Sequence, residues 1–146
     1  MLSKNDYIKI DAQKSSLIFK KESGRLLELY YGEKIKNADD YSLFEGKEDY
    51  LPEWKQSNLH KHEFSYYGNG DFKLPSLLIK NADGWFVNKF AFIGAQEVET
   101  FPVSPMPLAK KPSQTVKFTF KDEVSKVTYN KYYSVFDDCD TVCSFC

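Results

Sequence analysis

Over residues 114–136 the chain alternates apolar and polar residues one by one, and this pattern restricts the fold more than any other feature. In an extended chain Val116, Phe118 and Phe120 share one side, and Thr115, Lys117, Thr119 and Lys121 the other. Asp122-Glu123 follows as a turn signal. Beyond it Val127, Tyr129, Lys131, Tyr133 and Val135 alternate with Lys126, Thr128, Asn130, Tyr132 and Ser134. A helix would scatter these apolar side chains around its circumference, whereas two half-buried strands keep them together. The spacing therefore predicts an antiparallel hairpin with a short loop.

The same grammar recurs upstream. Residues 7–10 and 16–20 read as short strands, and Glu22-Ser23-Gly24 as a turn whose glycine supplies a positive φ. Residues 25–31 read as a third strand with Leu27, Leu29 and Tyr31 on one side, broken at Gly32. Residues 76–80 and 85–93 read as partners across the turn Asn81-Ala82-Asp83-Gly84. Pro102, Pro105, Pro107 and Pro112 bar regular structure between 94 and 112. Residues 36–62 are polar, mixed in charge and without a clean period, which reads as a surface excursion or a subunit-packing arm. Seven to nine strands and no helix make an all-β antiparallel sandwich, one domain over residues 1–146.

Composition excludes several functions. The charge is balanced, 20 Lys and Arg against 21 Asp and Glu for a net −1, so no concentrated basic face for nucleic acid is expected. No run of 18 apolar residues exists, so no helical membrane span is expected. The first residues carry no apolar signal segment, and three cysteines make a poor disulfide framework; a cytoplasmic setting is the expectation. Cys139, Cys143 and Cys146 have C-x₃-C-x₂-C spacing, compatible with an iron–sulfur cluster, but no cofactor-binding segment accompanies it. Zinc lacks a nearby fourth ligand. The reading preferred is a frayed tail with oxidisable thiols. His60 and His62 read as solvated loop histidines. No metal and no cofactor are expected.

Three blocks carry a resemblance. Tyr30-Tyr31-Gly32-Glu33-Lys34-Ile35 comes first, then the run from Glu63 through Gly68-Asn69-Gly70-Asp71-Phe72-Lys73-Leu74-Pro75-Ser76-Leu77, then Lys121-Asp122 with Tyr132-Tyr133-Ser134-Val135-Phe136-Asp137-Asp138. In order and spacing they resemble the first domain of glycoside hydrolase family 36 α-galactosidases. The resemblance implies a β-supersandwich similar to galactose mutarotase, placed before a (β/α)₈ catalytic barrel that carries the nucleophile and the acid/base. A retaining glycosidase needs two carboxylates about 5–5.5 Å apart across the sugar, and no residue here can be assigned to either role. The expectation is thus a non-catalytic N-terminal domain with its last strand cut short. Its parent would hydrolyse terminal α-galactosides of the raffinose type.

The resemblance also implies homo-oligomers in which loops of this domain reach a neighbour's sugar pocket. By that analogy Asp71, Phe72 and Lys73 are substrate-contact candidates, with Trp54 and Asp40 on the long polar segment. An aspartate accepts two hydroxyls and an aromatic ring covers the apolar side of a pyranose. The plainer readings are a tight turn in which Asp71 bonds its own backbone, and a Trp54 that caps a core edge. Lys73 departs from the family's usual arginine and cannot reproduce a planar fork. Ser76 departs from its usual alanine. The rival readings are a free-standing carbohydrate-binding or oligomerisation module and, last, a mutarotase-like enzyme.

Overall fold

The computed structural model describes residues 2–4, 6–36, 41–45, 62–69, 74–99 and 111–146. Strands β1 (Leu2–Lys4), β2 (Tyr7–Asp11), β3 (Ser15–Glu22) and β4 (Arg25–Glu33) form one antiparallel sheet in chain order. Strands β5 (Phe90–Val98), β6 (Gln114–Asp122), β7 (Thr128–Val135) and β8 (Val142–Phe145) form the other, also in chain order. Among the described residues the helical content is the single 3₁₀ turn Ser42–Phe44. The chain is an all-β antiparallel sandwich.

The alternation in β6 produces the core directly. Val116, Phe118 and Phe120 are buried and face Ile8, Ile10, Leu17, Phe19 and Leu26 of the first sheet. Phe19 meets Phe118 edge-on at 5.0 Å between ring centroids and Tyr133 at 5.3 Å. Such contacts contribute about 1 kcal/mol each beyond the buried area. The expected β6–β7 hairpin forms, with Val116 opposite Tyr133 and Lys121 opposite Thr128. The β3–β4 hairpin closes through Ser23 and Gly24, both at positive φ (48° and 76°), the primed-turn geometry that matches strand twist.

Four local expectations change. Gly32 does not end β4; it pairs with Ser16, and the strand runs to Glu33. Leu27, Leu29 and Tyr31 do not share a face. Register shifts so that Ile18 opposes Tyr30 while Phe19 opposes Glu28, leaving Leu29 as a bulge. The extra residue flips the alternation, so Leu27 lies with Lys20 on one face and Tyr31 with Leu17 on the other.

The turn at Asn81–Gly84 forms, with Gly84 N–H donating to Asn81 O at 2.9 Å, but residues 76–80 and 85–89 make no ladder. Side chains take the ladder's place: the Asn81 amide donates to Val87 O at 2.8 Å and Asp83 accepts from Trp85 N–H at 3.0 Å. The partner strand begins at Phe90 and pairs with β6.

The C-terminus is not a frayed tail either. Val142–Phe145 pairs with β7, and Phe145 stacks on Tyr132 at 5.3 Å with planes 6° apart. Just before it, Asp140 accepts from Ser15 Oγ at 2.7 Å and Lys14 N–H at 3.1 Å, tying the two sheets together. β8 covers only residues 132–135 of β7.

Candidate functional site

The second of the three blocks begins in contact with both sheets. His62 bridges to Leu27, and the Asn69 amide donates to its Nδ1 at 2.8 Å. This histidine is part of the packing rather than solvated; His60 lies outside the described residues. Glu63 N–H donates to Leu26 O at 3.2 Å, so the chain here borders β4. The Glu63 side chain is only 2% exposed and receives both Lys131 Nζ and the Tyr133 hydroxyl on Oε1. Its Oε2 is buried with no hydrogen-bond partner among the described residues.

Burial, then the Glu63 charge and hydrogen bond, hold the Tyr133 hydroxyl far above the usual phenol range, so it stays a donor. Partial desolvation and the Glu63 charge raise the Glu28 carboxyl, against the pull of Lys131. Glu28, Glu63, Lys131 and Tyr133 border a hollow of 270 Å³. Two carboxylates in one hollow invite comparison with a glycosidase pair. Glu63 fails that role, because a nucleophile must reach an anomeric carbon and its oxygens are buried or already engaged. The cluster is a clamp that fixes the loop to β7.

Residues 66–69 turn sharply. Asn69 N–H donates to Tyr66 O at 3.2 Å and Asn88 N–H to Tyr67 O at 2.8 Å. Gly68 has φ +105°, and a Cβ there would stand 2.3 Å from Asn88 O. Only glycine fits both demands. Further along, Ser65 and Ser76 clasp each other: Ser65 N–H donates to Ser76 Oγ at 3.0 Å, and Ser76 N–H to Ser65 O at 3.0 Å. Leu77 N–H adds a bond to Ser65 O at 3.1 Å. The described chain is thus pinned on both sides of residues 70–73. Asp71, Phe72 and Lys73 themselves lie outside the described residues, as do Trp54 and Asp40.

Asp122 is the second organising centre. It is 2% exposed and accepts from Lys89 N–H at 3.0 Å, Asn88 Nδ2 at 3.1 Å, Val124 N–H at 2.9 Å and Ser125 N–H at 3.3 Å. Desolvation opposes its ionisation, but these donors outweigh it and bring the carboxyl from 3.8 down to about 2. In the sequence this residue reads as a turn signal and as a member of the third resemblance block, with nothing to mark it as a buried hub, and Asn88 carries no signal at all. The hub lines a cavity of 790 Å³ together with the hairpin tip Ser23–Arg25, the Gly68 turn and residues 80–83 and 87–91.

Cys139 and Cys143 are half-buried and Cys146 is exposed, all as free thiols. No group of three or more His, Cys, Asp or Glu side chains among the described residues is placed to hold a metal ion. Among the same residues no helix is long and apolar enough to cross a membrane.

The two meander sheets and their inter-sheet loop place the chain among antiparallel β-sandwich domains. Residues 24–145 match the glycosyl hydrolase family 36 N-terminal domain, and the chain belongs to that family. It is 28% identical over 141 residues to the alpha-galactosidase Mel36A of Lactobacillus acidophilus, covering 86% of this chain and 19% of that protein. Among solved structures, the GH36 alpha-galactosidase AgaA of Geobacillus stearothermophilus superposes with a TM-score of 0.75 at 17% identity, over 94% of this chain and 21% of that one. The galactosidase domain of the alpha-galactosidase-sucrose kinase AgaSK gives 0.73 at 21% identity, over 95% and 21%. These likenesses share the fold seen here, and the chain spans about one fifth of the relatives' length.

Proposed function

We propose that this chain is the non-catalytic β-sandwich portion of an α-galactosidase acting on terminal α-galactosides of the raffinose type. It serves packing and oligomerisation, and it presents the loop 70–73 to close a sugar pocket on a neighbouring copy. The observation that carries the reading is the family match over residues 24–145 together with the pinned frame of that loop. A Gly68 turn on Asn88 and a Ser65–Ser76 clasp hold the ends of a short segment whose Asp71 and Lys73 offer an acceptor and a donor to hydroxyls. Rigid support under a short polar loop is what a contact made across a subunit boundary requires. The Glu63 clamp belongs to the same frame, because it ties that loop's entry to β7.

The test is a galactose titration followed by backbone amide shifts. The expected result is saturable movement of residues 65–69 and 74–76, with a Kd of about 10 mM, removed by Asp71→Ala; about −3 kcal/mol is reasonable for a shallow half-site. A flat response at 50 mM, about five times that Kd, overturns the loop's assignment.

A further inference from the structure

We infer that the 270 Å³ hollow between the edge strands β4 and β8 is a binding site for a single neutral pyranose ring. It involves neither the loop 70–73 nor a neighbouring copy, so it stands apart from the reading above. Both strands put polar residues on the core side of the sandwich, where side chains are ordinarily apolar. Glu28 lies directly opposite Phe19 and Tyr31 directly opposite Leu17, and residues opposite one another in an antiparallel pair share a face. Phe19 and Leu17 belong to the core, so Glu28 and Tyr31 are on its side. Ser144 stands opposite the core residue Tyr133 in the same way. Tyr31 is nonetheless 58% exposed, and all three side chains line the hollow. A carboxylate, a phenol and a hydroxyl thus converge on one mouth from the last strands of two different sheets.

Their polar atoms are available. Among the described residues the Glu28 carboxylate, the Tyr31 hydroxyl and the Ser144 hydroxyl have no hydrogen-bond partner. The floor, by contrast, is fixed. Glu63 Oε1 takes both Lys131 Nζ and the Tyr133 hydroxyl, and Lys131 Nζ also reaches Glu63 O at 3.4 Å. Glu63 and Lys131 cancel in charge, which leaves Glu28 as the uncompensated charge of the lining. Small anions are therefore repelled. Burial and the Glu63 charge already raise the Glu28 carboxyl, as expected of a place that resists further negative charge. An organic ammonium would meet Glu28 but also Lys131 in the same hollow. No three metal-ligating side chains gather there among the described residues. A pyranose meets none of these objections. Its hydroxyls donate to Glu28, and they both donate to and accept from Ser144 and Tyr31. Its apolar face covers the Tyr31 ring, and Leu17 and Val142 supply further apolar wall. The volume lies just under that of sites for drug-sized ligands, about 300–1,000 Å³, which limits the occupant to one ring.

Galactose, titrated into the full chain and followed by backbone amide shifts, tests this. The expected result is saturable movement at residues 28–32 and 142–145 with a Kd of about 5 mM. Tyr31→Ala is expected to weaken binding at least about fivefold, and Glu28→Gln about fivefold. Both variants alter exposed side chains, and unchanged amide positions at Ile8 and Phe118 confirm the fold. No movement of these amides at about 50 mM, or movement that either variant leaves intact, overturns the inference. Equal shifts from tetramethylammonium chloride, lost in Glu28→Gln alone, overturn it in favour of a cation site. Absent shifts together with self-association of Glu28→Leu in sedimentation also overturn it, because the carboxylate then only guards an edge strand against pairing. These amides are distinct from residues 65–69 and 74–76, which report on the loop, so each of the two readings stands or fails on its own signals.

Discussion

Replacing Asp122 by Asn isolates the worth of one buried carboxylate. In the native chain four N–H groups converge on it, from Asn88, Lys89, Val124 and Ser125. Their preference for the charged form lowers its pKa from 3.8 to about 2. At ~1.4 kcal/mol per tenfold, that shift corresponds to about 2 kcal/mol of folding stability. The sign follows from the direction: a depressed carboxyl stabilises above the unfolded value near pH 4, and the contribution disappears as pH falls through about 2. Asparagine keeps one acceptor but turns an NH₂ towards backbone donors, so Asp122→Asn costs about 2–3 kcal/mol at pH 7. For a domain of this size that lowers Tm by about 8 °C. The assay is urea unfolding of both proteins at pH 7, 4 and 2. Taking the difference between them cancels the other carboxylates. The expected difference is largest at pH 7 and shrinks towards pH 2. Equal stability at pH 7, or a gap that acid leaves unchanged, refutes the hub.

Gly68→Ala meets both a positive φ and a backbone oxygen 2.3 Å away, so it is expected to destabilise by at least about 2 kcal/mol, read by urea unfolding. Glu63→Ala leaves Lys131 half-buried without its anion and is expected to cost about 3 kcal/mol, whereas the double change Glu63→Gln with Lys131→Met costs less than that. A thermal melt separates the two, and a double variant as weak as the single one contradicts the clamp. Phe145→Ala removes the stack on Tyr132; amide exchange along β8 is expected to quicken while β6 keeps its protection.

The sheets were legible where alternation was strict. β6 and β7 appear at the positions their period dictates, and the Ser23-Gly24 turn has the positive φ that glycine announced. Legibility failed where a single residue changed the phase. The Leu29 bulge cannot be seen in composition, because the pattern around it is apolar on both sides. It also failed where side chains replaced a ladder: Asn81 and Asp83 advertise a turn, but not that the flanking residues stay unpaired. The site was half legible. Glu63 and Gly68 were visible as members of a family block, yet the partners Lys131, Tyr133 and Asn88 lie far along the chain. Pairings of that kind come from topology, which no local window contains.

The non-catalytic role proposed above requires that the sandwich by itself does not hydrolyse α-galactosides. Incubating the folded chain with a chromogenic α-galactoside at pH 5–7 tests it most directly. The expected result is no aglycone release above a buffer blank, and the same null result for Glu28→Gln and Glu63→Gln. Release that either substitution abolishes would contradict it, because Glu28 and Glu63 would then be a working carboxylate pair.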